Sequence, residues 1–466
     1  MKKIFPIITA VAGLAMLSSC SNSSIADEVI KKEEMPTITN AILVYMTAEN
    51  NLDTQGFASA DLNEIKSGSA KLNDGTAVLA FVDPASSTQK PYIRAYYNGK
   101  DTLLYTSPSD FVSTDPSKVT ETLQRMVELT PDATSYSLIM WGHGTGPLVT
   151  ADTLSILTKS TRSYGYDSTN NTESSKNNTW INVPALAKAL AAVKDHSGNA
   201  MKYENIFFDC CCMGSVESAY EFRSIADYFV GIACETPGYG ANYAVLLPAY
   251  NKTGEERAKS LVDSYVDGTN FVALGYSGVC ISAVKLSQMD YFLGATSTAL
   301  HTISYTDKLS LSTESSSASD VASDSYKPTS SIYYMKVNND LTPTYIGMSV
   351  LYDMQDVMRA NLSSEDYNEW LSAFNQTVFY KRRVTDIRKQ PSVKPWMSEY
   401  LGKLSGKLTN DNEWYKFYIS DESCGCISTI FPQIPTKTNY SAIAQKINEV
   451  HFQFEWWQKL WHQFGW

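Results

Sequence analysis

An α/β fold, with a largely parallel sheet flanked by helices and a C-terminal elaboration or small domain, is predicted for this chain of 466 residues. Three observations carry that expectation. Short β-prone runs alternate with helix-period segments from residue 41 to about residue 300. Two of the runs, Ser135 to Trp141 and Asn205 to Phe208, are too apolar for a half-exposed strand and read as strands covered on both faces. Each then ends on a reactive side chain: the first leads into Gly142-His143-Gly144-Thr145-Gly146 and the second into Asp209-Cys210-Cys211-Cys212-Met213-Gly214. Right-handed crossovers place the carboxyl ends of parallel strands along one edge, where open α/β sheets do their chemistry. A nucleophile and a proton carrier meet there.

Residues 1–20 read as an export signal and stand outside the fold. Lys2 and Lys3 precede the apolar stretch Ile4 to Leu17, which is too short to span a bilayer comfortably. Leu17-Ser18-Ser19-Cys20 resembles a bacterial lipoprotein cleavage box, so Cys20 is expected to carry lipid; the plainer alternative is an ordinary signal with a chance cysteine. Polar residues 21–40 then form a tether. The expected location is the bacterial cell envelope, as an outer-membrane lipoprotein held by the lipid on Cys20, with the membrane face left open.

A catalytic domain is expected over residues 41–309. Ala41 to Met46 reads as its first strand, Leu52 to Lys66 as a helix, and Thr76 to Val82 as the second strand. Pro91 to Tyr97 and Thr102 to Tyr105 make a hairpin about Asn98-Gly99, a strong turn pair. Ser117 to Leu129 is the helix before the histidine strand. Thr150 to Thr179, rich in Ser, Thr and Asn, is a long polar insertion that is either a lid or partly disordered. Val183 to Val193 returns to helical period, Ser215 to Ala226 reads as a helix after the cysteine strand, and Tyr228 to Cys234 as the next strand. Glu255 to Asp267 and Gln288 to Leu300 look helical, with the strand Val279 to Val284 between them.

Residues 310–326 form a Ser-rich linker. The C-terminal region, 327–466, holds an amphipathic helical stretch from Met348 to Phe379 and a strand-like segment from Gly425 to Phe431. In the aromatic tail Trp457, Leu460, Trp461 and Phe464 share one helical face. Lys459 and His462 are too few cations for an anionic membrane surface, so that face is expected to dock on the protein core.

Charge and cysteine usage narrow the class. With 38 basic against 49 acidic side chains the net charge is −11, which argues against a nucleic-acid partner. The eight cysteines do not lay out a disulfide framework, and mostly free thiols are expected. Cys424-Gly425-Cys426 has no histidine or second cysteine pair nearby in sequence and reads as core packing, so no metal site is expected. Cys210, Cys211 and Cys212 could likewise be small buried residues. Position argues otherwise: of five histidines only His143 lies between glycines at the end of a β-prone run, whereas His196, His301, His451 and His462 sit in polar or helical settings.

At these motifs the chain resembles the clostripain family of caspase-like cysteine peptidases, whose members carry a strand ending His-Gly and a later strand ending Asp-x-Cys-x-Met-Gly. The likeness extends to Leu43-Val44-Tyr45-Met46, Glu49-Asn50-Asn51-Leu52 and Asp61-Leu62-Asn63-Glu64 near the start. It also takes in Ser215-Val216-Glu217, Glu235-Thr236-Pro237-Gly238-Tyr239-Gly240 and Ile427 to Pro432, so it covers most of residues 40 to 440. The resemblance implies a caspase-like sheet and a Cys/His dyad with Cys211 as nucleophile and His143 as proton carrier, acting on polypeptides without a cofactor. Calcium dependence and oligomeric state stay open. The helix beginning near Ser215 would favour the Cys211 thiolate, and the backbone N–H groups of Gly144 and Cys211 are the natural oxyanion donors.

The resemblance also implies cleavage after Arg or Lys, with Asp209 at one acidic pocket position, although Asp209 reads equally well as a structural or capping carboxylate. Tyr239 stands where relatives often have a second acid, and Glu235 nearby is a candidate substitute. Self-cleavage in the polar insertion is a further implication, with Lys159, Arg162 and Lys176 as candidate sites. Two function classes remain: a lipid-anchored cysteine endopeptidase, or a catalytically weak envelope lipoprotein that binds peptides or other envelope partners.

Overall fold

The first strand, β1 (Asn40–Ala48), and the second, β2 (Thr76–Pro84), are buried along almost their whole length, as only strands covered on both faces are. They pair in parallel from Asn40↔Thr76 to Ala48↔Pro84. The computed structural model describes residues 35–86, 88–148, 163–168, 179–268, 279–303, 333–337, 339, 348–384, 424–433 and 441–466. The remaining strands among these are β3 (Tyr92–Tyr97), β4 (Lys100–Thr106), β5 (Ser135–Trp141), β6 (Tyr164–Asp167), β7 (Thr179–Ile181), β8 (Tyr203–Asp209), β9 (Ala226–Ile232), β10 (Val279–Lys285), β11 (Tyr333–Val337), β12 (Met348–Asp353), β13 (Val378–Val384) and β14 (Ser428–Thr429). The predictions for Cys20, Lys159, Arg162, Lys176 and the 310–326 linker lie outside the described residues.

A nine-stranded sheet runs in the order β13-β10-β9-β8-β5-β1-β2-β3-β4. Its centre, β9-β8-β5-β1-β2, is parallel. Antiparallel strands flank it: the β3–β4 hairpin on one side, β10 and β13 on the other. Because β5 and β8 are adjacent, from Leu138↔Ile206 to Trp141↔Asp209, the residues after their carboxyl ends emerge side by side. That single register brings the His143 and Cys211 loops together. The helices form two mutually packed groups. Phe57–Ser69, Tyr243–Leu246 and Gly254–Gly268 make one; Pro116–Glu128, Val183–Ala192, Met289–Thr302 and Ser364–Thr377 belong to the other.

Several elements differ from expectation. The helix read as Leu52 to Lys66 is split into a turn, Asn51–Thr54, and Phe57–Ser69, because Gly56 takes φ +84° between them. The one expected from Ser215 to Ala226 covers only Val216–Glu221; the chain then turns at Phe222 and enters β9 at Ala226. The stretch from Met348 to Phe379 is not wholly helical. It opens as β12, continues through helices Met354–Asn361 and Ser364–Thr377, and ends in β13, which pairs antiparallel with β10 at the sheet edge. Of Gly425 to Phe431 only Ser428–Thr429 is strand, where it pairs with β12.

The tail docks inward. Trp456, Trp457, Leu460 and Trp461 are all buried, with Trp456 stacked 5.8 Å from Phe292 and Arg223 paired to Glu455 at 2.5 Å. Among the described residues no helix is long and apolar enough to cross a membrane.

Candidate active site

The loop after β5 is shaped by close packing that leaves no room for side chains. Gly142 has φ +150°, and a Cβ there would lie 2.2 Å from Thr47 Oγ1; a Cβ on Gly144 would lie 2.4 Å from the Cys211 carbonyl oxygen. Glycine at these positions lets the histidine loop press against the nucleophile loop. The Gly144 backbone also belongs to a two-strand contact with Tyr164, in which Thr145 N–H donates to Ser163 (2.8 Å) and Gly165 N–H donates to His143 (2.9 Å). In that pattern the N–H of Gly144 points away from Tyr164. Among the described residues neither that group nor the Cys211 N–H donates a hydrogen bond, so both expected oxyanion donors are available.

The loop after β8 is pinned from behind. Cys212 N–H donates to Cys234 (2.9 Å), Gly214 N–H to Ile232 (2.8 Å), and Ser428 N–H to Gly214 (2.9 Å). Cys212 adopts φ +61° and is buried, as is Cys210; Cys211 is the one of the three that is partly exposed. Its Sγ accepts the Thr236 N–H at 3.3 Å, and its S–H donates to the Thr236 carbonyl at 3.5 Å. Burial pushes the Cys211 thiol above its ordinary value, and the Glu235 carboxylate adds to the rise. The expectation that a helix N-terminus would favour the thiolate is therefore corrected. That helix has six residues and starts at Val216, and burial is the largest influence on the thiol in the resting site.

His143 is held in the opposite sense by the same cause: burial lowers its imidazole to about 4, so the ring rests neutral. Its Nε2 lies 2.8 Å from Asn51 Oδ1. With that carbonyl as acceptor, Nε2 carries the proton and Nδ1 is the lone-pair nitrogen able to take the thiol proton. Tyr166 and Trp180, on the β6–β7 ribbon, wall the ring with centroids 6.0 and 6.3 Å away.

His143 and Cys211 line one cavity of about 340 Å³ together with Asn51, Phe57, Trp141, Asp209, Glu235 and Gly240. Asp209 is buried at its floor, where its carboxylate accepts from Tyr243 OH (2.9 Å) and from Ala241 N–H (3.1 Å); burial raises it to about 6. Asp209 thus anchors the 240–243 segment as a structural carboxylate and also lines the cavity. Tyr239 does not line the cavity: it is 47 % exposed at the rim, edge-on to Phe57 at 5.1 Å.

Sequence reasoning assigned no role to Asn51, Tyr166, Trp180, Thr236 or Asp61. The buried Asp61 carboxylate accepts the Trp141 Nε1–H at 2.6 Å behind the cavity wall, and burial together with Asp209 raises it. The signal for Asn51 was its place just past the end of β1, on the sheet edge that carries the dyad.

The sequence model of the clostripain family matches residues 44–419. No curated protein matches the chain. Among solved structures, the fold is similar to that of a secreted C11 cysteine protease from Bacteroides thetaiotaomicron in complex with an irreversible peptide inhibitor. The TM-score is 0.60 at 21% identity, covering 91% of this chain and 99% of that one. It is similar also to an inactive zymogen C11 protease from Parabacteroides distasonis, with TM-score 0.60, 20% identity and the same coverage of both chains. A third, the secreted C11 protease from Bacteroides thetaiotaomicron called iotapain, gives 0.58 at 16% identity over 91% of this chain and all of that one.

Proposed function

The chain belongs to the clostripain family and is a cysteine endopeptidase; on that premise we propose that Cys211 attacks the scissile carbonyl while His143 moves the proton. The observation that carries this reading is the meeting of the two side chains in one cavity, with a buried carboxylate at its floor. Substrate binding displaces water from the cavity and brings the carbonyl oxygen to the Gly144 and Cys211 N–H groups, donors typically worth roughly 3–4 kcal/mol each. The thiol proton passes to Nδ1 of His143 as the carbon–sulfur bond forms. The resulting imidazolium returns it to the leaving amine, and water then hydrolyses the thioester with the imidazole as base.

Specificity for Arg or Lys before the cleaved bond is supported by Asp209 and Glu235 on the cavity wall. With Tyr239 outside the cavity in place of a second deep acid, the preference is weaker than in relatives that have two, by about 2–4 kcal/mol. Export, with a lipid on Cys20 holding the enzyme at the bacterial envelope, rests on the Leu17-Ser18-Ser19-Cys20 sequence. Self-cleavage in the polar insertion rests on Lys159, Arg162 and Lys176.

A positional library of fluorogenic peptides, incubated with purified wild type and with Cys211→Ala, tests the reading. Turnover of Arg and Lys peptides by wild type alone is expected. Activity that survives loss of Cys211 overturns the assignment, and faster turnover of uncharged residues overturns the specificity.

A further inference from the structure

The strands on the far side of the nucleophile loop gather thiols that are distant in sequence. Cys280, in β10, and the pair Cys424 and Cys426 lie together in the core: Cys280 Sγ is 3.9 Å from Cys424 Sγ, and Cys424 Sγ is 3.6 Å from Cys426 Sγ. All three sulfurs lie within 4.8 Å of one another, and all three residues are buried. A tetrahedral zinc with bonds of about 2.3 Å to sulfur has S···S edges of about 3.8 Å, close to both contacts. Cys234 borders the trio without joining it: its Sγ accepts the Cys280 N–H at 3.4 Å.

The surroundings hold the trio in this arrangement. Cys426 adopts φ +53°, a left-handed conformation that a non-glycine residue takes only under constraint. The constraint is Asp353, fully buried at the end of β12, whose carboxylate accepts the N–H groups of Gly425 (2.9 Å) and Cys426 (3.1 Å) and the Tyr334 hydroxyl (2.6 Å). This bends the 424–426 turn so that both of its sulfurs face Cys280. Lys381 Nζ sits 2.8 Å from the Cys424 carbonyl oxygen and supplies a positive charge beside the thiols.

We propose that Cys280, Cys424 and Cys426 bind a zinc ion as three thiolate ligands, with Asp353 as the outer carboxylate that orients the turn. Thiolates select zinc over the hard cations, and binding releases one proton to solvent for each thiol engaged. The ion ties distant pieces of chain together. Cys234 accepts the Cys212 N–H through its carbonyl, and the segment after Cys426 reaches Gly214 through Ser428 and Glu217 through Thr429 (2.7 Å) and Ile430 (2.9 Å). The metal is thus a clamp behind the nucleophile loop, away from the reacting atoms.

The test is metal analysis of the full chain purified without chelator, before and after equilibration with zinc and then with cobalt(II). About one zinc per chain is expected, together with the thiolate charge-transfer and tetrahedral bands of cobalt. Cys280→Ser and Cys424→Ser lose the metal, while Cys211→Ala keeps it, which separates the site from the catalytic thiol. Should the serine variants fail to fold, wild type still decides. Cys280, Cys424 and Cys426 are expected to resist a thiol reagent until a chelator is added, and the melting temperature to fall on chelation. Absence of zinc after equilibration overturns the proposal, as do thiols that react at once without chelator. A non-reducing peptide map that links Cys280 to Cys424 or Cys426 also overturns it, in favour of a disulfide.

Discussion

Cys211 and His143 both rest uncharged, and desolvation is the first cause for each. A thiolate–imidazolium pair would react with alkylating agents well into the acid range. Here, instead, iodoacetamide labelling of Cys211 is expected to be still rising with pH above about 8.5, the ordinary thiol value. Glu235→Gln removes a negative charge beside the sulfur and moves that profile to lower pH, while weakening the preference for basic substrates. A labelling rate that is flat from acid to neutral pH would show a preformed ion pair and defeat the prediction. Asp209 gives a second dependence. Its carboxyl sits near 6, so it is mostly neutral below that pH and mostly charged above it. Selectivity for Arg and Lys over uncharged residues is therefore expected to strengthen as pH rises through about 6, read as a ratio of kcat/KM values. Asn51 positions the imidazole, and Asn51→Ala is expected to lower kcat by roughly 10- to 100-fold with little change in KM, as loss of a group that orients a reactive residue does. An unchanged kcat would remove Asn51 from that role. The dyad and Asp209 were legible because each sits at the end of an apolar run. Asn51 shares that placement past the end of β1 but acts through a side-chain carbonyl, and Thr236 acts through its backbone, so residue type marks neither.

Strand ends carry a further cost at the scale of elements. β1 and β2 run out into Glu49 and Asp83, and β6 ends at Asp167; all three carboxylates are buried together. Burial raises Glu49 to about 10 and Asp83 to about 8, with Asp167 adding to both. Since these folded-state values lie above those of the unfolded chain, the stability they allow is full below about pH 4. It is lost progressively as pH rises through 8 and toward 10. Asp83→Asn is expected to flatten this decline in denaturant titrations at several pH values. A variant whose stability falls with pH as steeply as wild type would exclude Asp83 as a source. The parallel core was readable because strands buried on both faces are apolar throughout. β13, VFYKRRV, was not: it lies at the sheet edge, where charged residues are tolerated on a half-exposed strand, and it follows a helix without a break. The shortness of the helix after Cys211 was hidden for a related reason. The buried Phe222 and Ile225 continue an apolar pattern through what is in fact a turn. Nor could spacing reveal the thiol cluster, whose members Cys280 and Cys424 are 144 residues apart.

The whole molecule is divided by its sheet order in a way that bears on self-processing. Every strand of the large sheet before residue 149 lies on one side, as β5-β1-β2-β3-β4, and every strand after residue 178 lies on the other, as β13-β10-β9-β8. A cut in the polar insertion would therefore separate the two halves along the β5–β8 ladder, with His143 on one fragment and Cys211 on the other. The fragments are not expected to part. They share a continuous apolar core, four register pairs between β5 and β8, and a buried contact in which His451 Nε2 lies 2.9 Å from the Pro147 carbonyl oxygen. Burial on this scale holds the two pieces together after a single backbone cut. Cleavage at Lys159, Arg162 or Lys176 would also free the chain ends beside the β6–β7 ribbon, whose Tyr166 and Trp180 wall the His143 ring. Wild-type protein is thus expected to convert on incubation into two fragments that co-elute on size exclusion and separate only on a denaturing gel, while Cys211→Ala stays whole. Activity should rise as the cut proceeds. Equal cutting of both proteins would assign the nick to a contaminating protease, and an uncut wild type with full activity would eliminate self-processing.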